Sequence, residues 1–125
     1  MIQELWLSDK DICDDGIHAI ATALTNSRII KLWVEGCSIT VTGAKSLATL
    51  LSVNQSIKKL WLHGNPITTE GACLLLQSAV NNEACQVDIR INDEYNRDSE
   101  VQRMMNILEN KRRVKRKFNV VGYTV

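Results

Sequence analysis

A chain of 125 residues, 45% hydrophobic and 23% charged, is long enough to bury a core of its own. Its formal net charge of +1 gives no global pull toward nucleic acid or a membrane surface, and no apolar run approaches the roughly 18 residues of a membrane span. The charge is unevenly placed, with 6 Lys+Arg against 8 Asp+Glu in residues 1–87 and 9 against 6 in residues 88–125.

The first element is Leu5-Trp6-Leu7, in which two apolar residues flank one Trp, the period-2 pattern of a strand with one buried face. The same text returns 27 residues later at Leu32-Trp33-Val34 and 28 after that at Leu60-Trp61-Leu62, with a degraded copy at Val87-Asp88-Ile89. Other columns fall in register with it: Ile12, Ile39 and Ile67; Gly16, Gly43 and Gly71; Ile20, Leu47 and Leu75; Asn54 and Asn82. A fixed period of this length marks a repeat architecture. After each strand comes helical text; Ala44, Leu47, Ala48 and Leu51 stand at i, i+3, i+4 and i+7, one apolar stripe. Thr40 and Thr68 precede their helices as N-caps, and Asp14 is the expected equivalent in the first copy. One such unit cannot bury its own apolar face, so neighbours must stack.

The string Ile29-x-x-Leu32-x-Val34-x-x-Cys37, repeated as Ile57-x-x-Leu60-x-Leu62-x-x-Asn65, resembles the leucine-rich repeat family. The unit length and the Gly-Ala-x-x-Leu-Ala text are similar to the ribonuclease-inhibitor-like subtype, which also forms the sensor end of NOD-like receptors. The resemblance covers residues 2–92. It implies an α/β right-handed solenoid with parallel strands on the concave face and helices on the convex face, and an intracellular sensing or scaffolding role. It also implies that Cys37, Asn65 and Asn92 bond backbone groups in the turns leaving the strands, a position that Lys10 does not match. Registering Asn92 with Asn65 makes Val87 and Ile89 the inward residues of the fourth strand and puts Asp88 in the Trp column.

Beyond Asn92 the pattern changes, giving a second region over 93–125. Asp98 or Ser99 can cap a helix with apolar positions at Val101, Met104, Met105 and Leu108. The basic run Lys111, Arg112, Arg113, Lys115, Arg116 and Lys117 follows, and then β-prone text from Phe118 to Val125, which suits an added strand or a loose tail. Neither end of the chain resembles a dedicated cap, so further repeats of a longer chain, or a partner, are expected to cover them. The four Cys include no C-x-x-C pair and are read as reduced thiols of a cytoplasmic protein. Met1 is followed within four residues by the first strand, so no secretory leader is expected, and Asn54-Gln55-Ser56 reads as a polar turn rather than a glycan site.

Strand alternation sets three outward rows: Glu4, Lys31, Lys59 and Gln86; Trp6, Trp33, Trp61 and Asp88; Ser8, Glu35, His63 and Arg90. Trp is enriched among the residues that dominate interface energies. The expected function is therefore binding of another protein, with Trp6, Trp33 and Trp61 as anchors and Lys31, Glu35, Lys59, His63 and Arg90 setting orientation. The alternative is nuclear import or nucleic-acid contact through the basic run. No nucleophile–base pairing, nucleotide loop or metal motif appears in the text, so no enzyme activity, cofactor or metal is expected.

Overall fold

A computed structural model describes residues 2–9 and 11–120, with side chains through Arg116. Strands and helices alternate: β1 (Glu4–Leu7), α1 (Cys13–Leu24), β2 (Lys31–Val34), α2 (Val41–Val53), β3 (Lys59–Trp61), α3 (Thr68–Asn81) and β4 (Asp88–Arg90). A 3-10 turn (Asp93–Arg97) then leads into α4 (Ser99–Val120). The four strands form one parallel sheet in chain order, and the helices pack on one another in the same order. The parallel arrangement follows from the text, because each strand is separated from the next by a helix that carries the chain back.

Period-2 alternation turns Leu32, Val34, Leu60, Leu62, Ile89 and Ile91 inward, all buried, against the helix stripes of Leu47, Leu51, Leu75 and Ala79. Each fully buried aliphatic side chain contributes about 1.5–3 kcal/mol, so this layer is what holds sheet and helices together. Gly43 permits the close approach of α1 to α2. A Cβ there would lie 2.5 Å from the Asp14 carboxylate and 2.6 Å from a methyl of Ile39.

Polar side chains at the turns join each unit to the one before. Asn65, fully buried, accepts from the Cys37 and Ile39 amides at 2.9 and 3.2 Å and donates to the Val34 and Leu62 carbonyls at 2.7 and 3.0 Å. The Cys37 thiol takes the same place one unit earlier, accepting from the Asp9 amide at 3.4 Å. Asn92 Oδ1 accepts from the Gly64 amide at 2.7 Å. At the other end of the units, Asn54 Nδ2 donates to the Leu24 and Ser27 carbonyls, and Asn82 Nδ2 to those of Leu51 and Asn54. Asn54 is only 3% exposed, its amide built into the turn. Buried backbone groups must be paired, and these side chains pair the ones that strands and helices leave over.

Several expectations need correction. Asp14 does not cap its own helix: its carboxylate reaches across to the start of α2, accepting from the Thr40 and Gly43 amides at 2.8 and 3.1 Å. The fourth strand is registered two residues later than the sequence alignment placed it, with Lys59 beside Asp88, Leu60 beside Ile89 and Trp61 beside Arg90. Val87, Ile89 and Ile91 are alternating and all buried, so a two-residue slip keeps every apolar side chain facing in, and alternation alone cannot choose between the registers. Finally, α4 runs to Val120, so Phe118 to Val120 are helical rather than a strand. Lys and Arg are good helix formers, and the basic run gives the helix no reason to stop. The remainder of the β-prone tail, and Lys10, lie outside the described residues. Thr40 caps α2, accepting from the Thr42 amide at 3.3 Å, whereas Thr68 is the first residue of α3 rather than the one ahead of it, with its hydroxyl 3.4 Å from the Gly71 amide; Asp98 accepts from the Glu100 and Val101 amides ahead of α4.

The two ends of the sheet differ. At β4, Val101, Met104 and Leu108 of α4 extend the core over the last unit. At β1, Leu5, Leu7, Ile12, Ile20 and Leu24 are only half-buried, and Ile2 is 68% exposed, although their counterparts one unit on are sealed.

Candidate functional site

The parallel register places Trp6 beside Trp33 and Trp33 beside Trp61, so one indole from each of the first three strands stands on the sheet face opposite the helices. Trp6 and Trp33 are stacked, with centroids 4.6 Å apart and planes 13° from parallel. Trp33 and Trp61 meet edge to face, 4.1 Å between centroids and 70° between planes. Trp6 is 58% exposed and the other two are half-buried. Because the rings lean on one another, the row offers indole edges to an incoming surface. Mutual stacking covers one face each of Trp6 and Trp33.

Charged neighbours fix the ring orientations. The Trp6 indole N–H donates to Glu4 at 3.2 Å and that of Trp33 to Glu35 at 3.0 Å. Trp61 has Lys59 and His63 where its neighbours have a carboxylate. The Lys59 ammonium lies 5.5 Å from the Trp61 ring centroid, and the Trp61 N–H is buried without a hydrogen-bond partner among the described residues. Leaving a buried donor unpaired costs about 1–3 kcal/mol. Lys31 and Lys59 line a small hollow with the three Trp.

Arg90 stands in the Trp column, paired to Asp88 at 3.1 Å, whereas His63 lies exposed in the turn after β3 and outside the sheet. The structure therefore brings the three Trp, Lys31, Lys59 and Glu35 into one surface, with Arg90 taking the place expected of Asp88.

The basic run lies in the second half of α4, and part of it is engaged. The Lys111 ammonium donates to the Ala79, Val80 and Asn82 carbonyls, the last at 2.8 Å, and so closes the C-terminus of α3, whose own last turn has no basic residue. Arg112 donates to the Val87 carbonyl on the β4 edge at 2.7 Å and pairs with Glu109 and Asp88. Arg113 and Arg116 are exposed and Lys115 half-buried; the Lys117 side chain lies outside the described residues. Nothing local in the text marks Lys111 and Arg112 as carbonyl donors, because the carbonyls they serve lie 25 to 32 residues upstream.

Among the described residues no cluster of His, Cys, Asp and Glu has the form of a metal site, and no helix is long and apolar enough to cross a membrane. Burial pushes the Cys85 thiol above its ordinary pKa, which leaves it a poor nucleophile at neutral pH. Compared with known proteins, the chain matches no family model and no curated sequence.

Proposed function

We propose that the chain is a short leucine-rich repeat solenoid of the ribonuclease-inhibitor-like kind that binds another protein through its strand face, with Trp6, Trp33 and Trp61 as the anchors. The observation that carries this reading is the row itself, three indoles in register on one sheet face with Trp6 58% exposed at its end and stacked on Trp33. A partner seated on the row would cover its apolar edges, which is how a few aromatic residues come to dominate an interface. Charged residues on both flanks suit the polar rim of such a contact. The nucleic-acid reading of the basic run is weaker because Lys111 and Arg112 already serve backbone carbonyls.

Trp33 is the test. Trp33→Ala should weaken capture of the partner at least tenfold, and the Trp6/Trp33/Trp61→Ala triple variant should abolish it in a pull-down. Aromatic pairs contribute about 0.5–1.5 kcal/mol each, so Trp33→Ala should cost about 1–3 kcal/mol of stability while the melt stays cooperative. A single variant that loses cooperative folding but retains binding in its folded fraction would assign the row to packing alone.

A further inference from the structure

Where the sheet meets α4, residues distant in sequence converge on a cleft of about 390 Å³. Lys58 and Lys59 enter it from the start of β3, and Arg112, Lys115 and Arg116 from successive turns of α4; the one carboxylate in its lining is Asp88. That carboxylate is already shared between Arg90 at 3.1 Å and Arg112 at 3.8 Å. Arg116 reaches Glu109 at 3.5 Å with its guanidinium mostly in solvent. Lys58, Lys59 and Lys115 make no ion pair among the described residues. Like charges gathered around one concavity repel one another, an arrangement that an incoming anion relieves.

We propose that this cleft is a phosphate-monoester site, and that the group it takes is a phosphorylated serine or threonine on the protein seated against the indole row. Charge favours a phosphoryl group over a carboxylate. One Asp or Glu would offset a single cation of the surplus, whereas a phosphoryl group brings about 1.5 to 2 negative charges and three acceptor oxygens, enough to engage Lys58, Lys59 and Lys115 at once. Lys59 belongs to both surfaces, lying beside Trp61 on one side and lining the cleft on the other, which makes the cleft continuous with the Trp row. The identity of the carrier rests on the reading of the sheet face as a protein-binding surface; the phosphate site does not.

The experiment is titration of the ¹⁵N-labelled chain with free O-phospho-L-serine, which has no apolar anchor and so tests the cleft apart from the indoles. L-serine and L-glutamate serve as controls. Amide shifts at Lys58, Lys59, Gln86, Lys115 and Arg116 should saturate with phosphoserine at a Kd at least tenfold lower than with glutamate. Binding should weaken as pH falls through the second phosphate pKa, near 6. Lys58→Ala combined with Lys115→Ala should raise that Kd at least fivefold at unchanged melting temperature. Glutamate binding as tightly as phosphoserine, or full binding by the double variant, overturns the proposal. So does preferential binding of a short DNA duplex with shifts extending to Arg113, or of phosphatidylinositol-phosphate vesicles, over a phosphoserine peptide. Should the double variant fail to fold, the comparison of phosphoserine with glutamate on the unaltered chain still decides the matter.

Discussion

Asn65 shows how much a single polar side chain can carry in a core otherwise built of aliphatics. Its amide serves two N–H groups and two carbonyls in turns of adjacent units, all shielded from water. Asn65→Ala would strand those four groups at about 1–3 kcal/mol each, so the expected loss is at least about 4 kcal/mol by urea denaturation. Asn92 makes a comparable bond to Gly64 from a half-buried position, where water can replace it, and Asn92→Ala should cost about 1 kcal/mol. Equal losses at the two sites would mean that the hydrogen bonds of Asn65 are not what makes it matter. The Cys37 thiol, a weak donor and acceptor, does the same work with longer bonds, 3.4 Å from the Asp9 amide and 3.4 Å to the Glu35 carbonyl.

Among the elements, α4 is held to the sheet by charge as well as by its apolar stripe. The Arg112 guanidinium beside Glu109 holds that carboxyl below the usual carboxylate range, with Arg116 adding to the effect. A carboxyl lowered in the folded state contributes stability that is fully present above its ordinary pKa and is lost as pH falls through the lowered value. Protonating Glu109 removes the partner that orients Arg112 toward the Val87 carbonyl. The protection factors of the amides from Val87 to Ile91, which correct for the intrinsic pH dependence of exchange, should therefore fall as pH drops below the usual carboxylate range. Glu109→Gln should show the lower protection already at neutral pH and no acid step of its own; identical acid profiles for the two chains would remove Glu109 from the account. Glu100, lowered by Arg103 in the same way, pairs within its own helix and should leave β4 unaffected.

The limits of the sequence are visible in the same element. Strands, helices and the indole row follow from period and alternation, because each depends on spacing within one unit. The fourth strand escapes that logic: Val87, Ile89 and Ile91 satisfy two registers equally, and the spacing to the third strand is 29 residues by pairing against 27 by motif. Asp14, Lys111 and Arg112 escape it too. Each acts on a different element some 25 to 30 residues away, and polar side chains that bridge units leave no local periodicity to read.

For the whole molecule, burial runs in a gradient. Units built on α2 and α3 are sealed on both sides, whereas β1 and α1 have a neighbour on one side only among the described residues, and Leu5, Leu7, Ile20 and Leu24 stay half-buried. Repeat arrays derive much of their stability from nearest-neighbour contacts, so the first unit should open most easily. Native-state hydrogen exchange should find the amides of α1 the least protected of the first three helices and those of α2 and α3 the most. Uniform protection would indicate one cooperative block.

Among the described residues the two margins of the sheet are finished differently: at β4 the Arg112 guanidinium occupies the Val87 carbonyl and α4 covers the core of the last unit, whereas β1 has no such covering. An incoming strand would therefore add more readily beside β1 than beside β4.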